Sequence, residues 1–133
     1  MPLPRFLTVV SLFVEAGAAL IIAWVFIGLQ RRYRRPFLRH WTRSWLALAA
    51  YAALSGLARV VLNGRTIEFP PHAAIAVLAG VTGCLQLTYL MLGTFELTTG
   101  HSLPKEMVRR VVIATIVVGA LLPMFFWWNA ANA

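Results

Sequence analysis

The chain has 133 residues, enough for one domain, with a net charge of +8 and a single cysteine, Cys84. Hydrophobic residues make up 60% of it and charged residues 12%, far from the composition of soluble domains. A soluble domain of this size is excluded because it has no interior large enough for so much apolar surface, and an internal disulfide is excluded because it needs two cysteines. The composition predicts an integral membrane protein.

Four apolar runs predict four membrane-spanning helices. They cover about residues 6–29, 41–62, 73–95 and 108–128. Each is close to the roughly 20 residues that a helix needs to cross about 30 Å of hydrocarbon. None alternates between apolar and polar residues as the strands of a membrane barrel do. The first run is too long for a signal peptide and contains Glu15, so we expect it to be retained as a helix.

The connections between these runs are short and rich in turn-forming residues. Gly100 is placed to end the third helix, and Ser102 with Pro104 is placed to start the fourth. Short connections make helices that are adjacent in sequence antiparallel neighbours in space. We therefore predict an all-α, up-down bundle of four transmembrane helices that forms one domain over residues 1–133.

Basic residues are divided unevenly between the two sides of this predicted bundle. One side carries nine of them: Arg31, Arg32, Arg34, Arg35, Arg39, Arg43, Lys105, Arg109 and Arg110. The other side carries Arg5, Arg59 and Arg65. The positive-inside rule then places the larger group in the cytoplasm and both termini on the outer side of the membrane.

Six of these arginines form a basic loop between the first two runs, from Arg31 to Arg43, with Tyr33 and Trp41 among them. A basic run with interleaved aromatic residues is also found in nucleic-acid-binding proteins. Such binding needs a folded basic surface or a recognised module, and a short loop held at a bilayer supplies neither. We interpret the loop as a topology signal that attracts anionic lipid headgroups, and we expect no nucleic-acid partner.

Glu15 is the main candidate for an intramembrane polar site. It lies nine residues inside the first run, about 14 Å deep at 1.5 Å per residue. Arg59 enters from the same predicted side on the second helix, so we predict that the two lie on facing surfaces, directly paired or bridged by water. A contact with a partner subunit and a proton or ligand role remain open for Glu15. For Glu96, at the arginine-rich end of the third run, we expect an interfacial ion pair.

The three histidines, His40, His72 and His101, have no spacing that suits a metal site, so no metal is predicted. His72, at the outer end of the third run, is the candidate axial ligand of a haem or chlorin, although an interfacial polar role suits it better and no cofactor is predicted. The sequence shows no nucleophile with a base, no phosphate loop and no paired carboxylates. We therefore expect a protein that is not an enzyme.

Small residues recur at four-residue spacing in the predicted helices, as in Ala52 with Gly56 and Ala76 with Gly80. Such spacing lets membrane helices pack closely, either within the bundle or against other proteins.

Two segments, "YRRPFLRHWTRSWLALAAYAAL" and "YLMLGTFELTTGHSLP", carry a resemblance to a known group. They resemble the polytopic N-terminal sensor region of bacterial membrane histidine kinases and GGDEF-type diguanylate cyclases, over most of the chain from Arg31 to Pro104. The resemblance implies a bacterial inner-membrane protein whose helices sense or transmit. Members of that group also have further helices and a cytoplasmic catalytic domain, which this sequence does not show.

Two functions are therefore expected from the sequence. The first is a non-catalytic inner-membrane protein that acts through helix–helix contacts, as an accessory or structural subunit of a larger complex of respiratory or photosynthetic type. Its partners would be membrane lipids and other integral membrane proteins. The alternative is the transmembrane input module of a histidine kinase or diguanylate cyclase without its output domain.

Overall fold

The computed structural model describes the backbone of residues 3–61 and 71–131, and the side chains of residues 6–60 and 73–125. The described chain folds into four helices: α1 (Leu3–Tyr33), α2 (Pro36–Val61), α3 (Pro71–Thr99) and α4 (Lys105–Ala131). The prediction of an all-helical protein is confirmed.

Three of these helices are long and apolar enough to cross a membrane, over Phe6–Tyr33, Ala73–Thr99 and Lys105–Phe125. This finding confirms the prediction of a multi-pass membrane protein. Within the described residues α2 is not among the three, and it carries Arg39, Arg43 and Arg59 along its length.

Within the described residues, each helix packs only against its neighbours in sequence. α1 contacts α2, α2 contacts α3, and α3 contacts α4, and no other pair of helices is in contact within the described residues. The neighbours run antiparallel: His40 near the start of α2 lies beside Glu96 near the end of α3, while Tyr51 further along α2 lies beside Gly83. The helices therefore form an open row in which α1 and α4 are the two edges.

Small side chains fill the contact between α1 and α2. Ala16, Ala19 and Ala23 of α1 and Ala49 and Ala52 of α2 are buried. Large apolar side chains point outward instead, as Trp24 does with 76% of its surface exposed. This distribution suits a membrane, because lipid tails solvate large apolar side chains while small ones let helix backbones approach each other.

α3 and α4 approach each other even more closely, through glycine. A Cβ atom added to Gly80 would lie 2.5 Å from the carbonyl oxygen of Gly119, and one added to Gly119 would lie 2.7 Å from the Cα of Val81. Gly80 belongs to the small-residue pattern of the third helix. Pro123, which lies inside α4, packs against the same glycine.

Hydrogen bonds between side chains and neighbouring helices add to this packing. The Ser44 hydroxyl of α2 donates to the carbonyl oxygen of Gln86 in α3, at 2.8 Å. Thr88 of α3 and Thr115 of α4 share a hydrogen bond of 2.9 Å between their hydroxyl groups. In the membrane interior, where water is absent, such bonds supply the hydrogen-bond partners that these polar groups need.

The connection between α1 and α2 is a tight turn. Arg34 adopts a left-handed conformation with φ of 49°, and its N–H donates to the carbonyl oxygen of Gln30 at 2.9 Å. Pro36 then occupies the first position of α2, where a missing N–H costs nothing.

The connection between α3 and α4 starts at Gly100. Gly100 has a left-handed conformation with φ of 68°, and its N–H donates to the carbonyl oxygen of Glu96 at 3.1 Å. Helices often end at a glycine in this conformation. The carbonyl oxygen of Pro104 accepts the N–H of Val108, so α4 starts directly after the proline. Because the neighbouring helices are antiparallel, both connections and the nine basic residues around them lie at one end of the row, called here the basic end.

Candidate functional site

A half-open pocket of about 720 Å³ lies at the basic end. Its walls come from α2, from α3 and from the start of α4, so it occupies the space over α3 between two helices that do not touch each other. The lining residues are Pro36, Arg39, His40, Arg43, Tyr89, Glu96, Ser102, Leu103, Pro104, Lys105, Val108, Arg109, Val112 and Ile113. The volume is within the range of small-molecule sites.

Glu96 is the buried centre of this pocket. Only 6% of the residue is exposed, and its Oε1 accepts the backbone N–H of Leu103 at 2.9 Å. The same oxygen lies 3.5 Å from the Nε2 of His40, which is also buried. One carboxylate of α3 thus connects the start of α2 to the loop that leads into α4.

The partner of Glu96 is a histidine. The sequence predicts an interfacial ion pair at this arginine-rich end, and within the described residues the one such contact of Glu96 is with His40, which carries a positive charge only when it is protonated. The reason is the rotation of α2. Arg39 and Arg43 point to its exposed side, whereas His40 faces α3.

Aromatic rings hold the histidine in place. The imidazole of His40 stacks on the ring of Tyr89 with centroids 6.1 Å apart, and the guanidinium of Arg43 lies 5.7 Å from the centre of the same ring. Next to it, the indole of Trp41 occupies the space that a Cβ atom at Gly93 would need. α2 and α3 therefore fit together at this level only because residue 93 is glycine.

Burial lowers the pKa of His40 below its usual value of 6.5, and the charges of Arg43 and Arg39 lower it further, while Glu96 acts in the opposite direction. His40 precedes the apolar run of α2 and lies outside the three candidate spans. The Nδ1 of His40 and the Oε2 of Glu96 are buried without a hydrogen-bond partner in the described residues. The pair thus has one unused polar atom on each side.

Four cationic side chains surround this pair: Arg39, Arg43, Lys105 and Arg109. Arg109 forms an exposed ion pair with Glu106 at 2.8 Å. Neither Arg39 nor Lys105 has an ion-pair partner within the described residues. The arrangement is suited to holding an anion, because positive charge exceeds negative charge and part of it is not neutralised.

Two of the six arginines of the basic loop line the pocket, Arg39 and Arg43. The other four, Arg31, Arg32, Arg34 and Arg35, are exposed around the turn between α1 and α2. The structure therefore divides the predicted basic loop into pocket residues and surface residues.

The structure does not bring Glu15 and Arg59 into an ion pair. Both are exposed, and none of the ion pairs in the described side chains joins them. The packing of α1 on α2 accounts for the missing ion pair. Leu12 and Phe13 lie opposite Gly56, so Arg59, almost a turn further along the antiparallel α2, is level with a part of α1 that precedes Leu12, whereas Glu15 lies in the opposite direction along α1.

The side chain of His72 lies outside the described residues, so its candidate role as a ligand stays a prediction. Among the described residues, no group of three or more His, Cys, Asp and Glu side chains is placed to hold a metal ion.

Comparisons with protein families, with curated proteins and with solved structures gave no match. The residues of the chain itself therefore carry the functional argument.

Proposed function

We propose that the chain is a non-catalytic multi-pass protein of a bacterial inner membrane that acts through helix contacts with other membrane proteins, as an accessory or structural subunit. The supporting observation is the open row. α1 and α4 each have one helix neighbour within the described residues, and large apolar side chains cover their outer faces. Partner helices can pack along either edge.

The proposal includes four membrane crossings. α2 lies between α1 and α3 and contacts both along antiparallel stretches, and this supports a crossing of α2 through the same layer as its neighbours. The nine basic residues at one end favour a cytoplasmic basic end with both termini on the outer side. Cysteine-accessibility labelling at Asn132 and Arg32, in a Cys84→Ala background, tests this topology. Cytoplasmic labelling at Asn132 would contradict it.

The test of the subunit role is the size of the native assembly. Blue-native electrophoresis of gently solubilised native membranes should show the chain in a complex much larger than its own 14.8 kDa. A cysteine at Trp24, on the open face of α1, should crosslink to another membrane protein, again in the Cys84→Ala background. A cysteine at Ala19, which is 2% exposed, is the matched control and should not crosslink. A band of monomer size without crosslinks would contradict the proposal.

A second candidate is the sensor input module, and one observation favours it. The two segments that carry the resemblance to sensor regions supply the α2 and α3 walls of the pocket: one contributes Arg39, His40 and Arg43, and the other Tyr89, Glu96 and Leu103. The test is the genomic sequence after the codon for Ala133. A reading frame that continues into further helices and a kinase or cyclase domain supports the sensor, and a stop codon favours the subunit.

A further inference from the structure

We propose that the pocket at the basic end is a binding site for an anionic phospholipid, with the phosphate group of the lipid held between Arg39 of α2 and Lys105 of α4. The site is more specific than the general attraction of a basic loop to a membrane surface. It rests on the charge, the shape and the position of the pocket.

The charge favours a phosphate group. Arg39 and Lys105 stand on opposite walls, and neither has an ion-pair partner in the described side chains. Arg43 adds to the positive field, and Arg109 is neutralised in part by Glu106. The four lining cations still outnumber the two carboxylates near them, Glu96 and Glu106. Glu96 is already engaged by the N–H of Leu103 and by His40, which leaves an excess of positive charge at the mouth of the pocket.

The start of α4 contributes in the same direction. The helix begins at Lys105 on the wall of the pocket, and its first-turn N–H groups have no partner within the helix. A helix of 27 residues presents a partial positive charge there.

The shape favours a lipid over a free phosphate ion. Val108, Val112 and Ile113 continue the wall along α4, so the pocket extends about 12 Å from Lys105 along the span predicted to lie in the membrane. A volume of about 720 Å³ is many times larger than one phosphate group. A cationic mouth joined to an apolar wall matches a headgroup joined to an acyl chain.

The position gives the lipid a structural role. α2 and α4 have no contact with each other in the described residues, and the pocket separates them. A phosphate group held by Arg39 and Lys105 connects these two helices across α3. Lipid binding should therefore stabilise the basic end of the row.

The test is native mass spectrometry of the purified full chain in detergent, titrated with phosphatidylglycerol. Phosphatidylcholine with the same acyl chains and inorganic phosphate are the comparison ligands. The test variant is Arg39→Gln with Lys105→Gln. The matched control is Arg31→Gln with Arg35→Gln, which removes the same charge from exposed positions of the basic loop that do not line the pocket. The charge-conserving variant Arg39→Lys with Lys105→Arg checks that the site is still formed.

We expect phosphatidylglycerol to bind in preference to phosphatidylcholine, and the test variant to lose about thirtyfold in affinity, given the attraction of each basic residue to an anionic lipid. The control should lose about threefold or less, and the charge-conserving variant should bind nearly as the wild type does. Equal losses in the test and control variants would overturn the proposal, because they indicate diffuse attraction. Equal binding of both lipids, or equally tight binding of inorganic phosphate, would overturn it as well.

Discussion

Gly80 and Gly119 meet where α3 crosses α4, and the two backbones touch there without side chains between them. Replacing Gly119 by alanine should lower the stability of the fold by about 1–3 kcal/mol, because the added methyl group collides with backbone atoms that cannot rotate away. The loss is measured by thermal unfolding in detergent. Gly17→Ala and Gly28→Ala are matched controls, since a Cβ at either position meets nothing within 4 Å. A Gly119→Ala protein as stable as the Gly28→Ala protein would contradict the close backbone contact between α3 and α4 at Gly80 and Gly119.

One carboxylate oxygen of Glu96 should stabilise the loop that precedes α4, because it accepts the N–H of Leu103. Glu96→Ala removes the acceptor of the Leu103 N–H, and because this donor is only half-buried, the loss should be about 1 kcal/mol, at the lower end of the cost of an unpaired buried donor. Glu96→Gln keeps an amide oxygen at this place and should lose less. Hydrogen exchange at the Leu103 amide checks the prediction, with faster exchange in Glu96→Ala than in Glu96→Gln.

The exposed Glu106 supplies the control for that experiment. Its ion pair with Arg109 lies in solvent, and pairs of this kind contribute about 0–1 kcal/mol. Glu106→Ala should leave the exchange of Leu103 unchanged. Equal effects of Glu96→Ala and Glu106→Ala would show that the hydrogen bond to Leu103 does not hold the loop.

Acid should destabilise the basic end through His40. Its pKa in the fold is lowered below 6.5 by burial first and then by Arg43 and Arg39, despite the opposing charge of Glu96. Below pH 6.5 the unfolded chain therefore binds a proton more readily than the folded chain does, and the stability falls as the pH falls towards the folded pKa. Thermal unfolding between about pH 8 and about pH 5 measures this effect. His40→Asn should flatten that part of the pH profile, and an unchanged profile would contradict the prediction.

The turn at Arg34 should be more stable with glycine. A residue with a side chain and a positive φ is strained, so Arg34→Gly should raise stability by up to about 1 kcal/mol. Arg32→Gly, which removes the same charge from the last turn of α1, should lower stability by about 0.5–1 kcal/mol, because glycine disfavours a helix. Thermal unfolding of both variants in the same detergent makes the comparison. A loss of stability in Arg34→Gly would contradict the left-handed conformation of residue 34.

Glu15 and Arg59 should act independently of each other. Both are exposed and do not form an ion pair in the structure, so their substitutions by glutamine should have additive effects in a double-mutant cycle. Coupling above about 0.5 kcal/mol would restore the facing pair that the sequence predicts. Additive effects leave Glu15, on the apolar surface of α1, as a candidate for contact with a partner subunit or a ligand.

The four helices could be predicted from the sequence because local chemistry determines them. Long apolar runs predict the helices, and Gly100 predicts the end of α3. The helices extend past the apolar runs at the basic end, where α1 runs to Tyr33 and α4 starts at Lys105. Hydropathy detects only the part of a helix that suits hydrocarbon, so its polar end turns are not predicted.

The pocket could not be predicted from the sequence in the same way. It depends on the rotation of α2, which buries His40 beside Glu96 and places Arg39 and Arg43 at the exposed rim of the pocket. In a soluble helix an apolar stripe predicts that rotation, but these helices are apolar on all sides. The available signal was weaker: His40 and Glu96 are polar residues that border apolar runs at the same predicted end. For the same reason the contact of Gly119 with α3 was missed.

The packing of each helix against its sequence neighbours alone also bears on how the protein is made. Because these contacts join sequence neighbours, α1 and α2 can form a hairpin before α3 has been synthesised, and α3 can then pack on the face of α2. No contact in the described residues waits for a distant part of the chain, so little loop-closure entropy delays assembly. The row can grow by one helix at a time in the order of synthesis, and its last edge is still open to a helix from another chain when translation reaches α4.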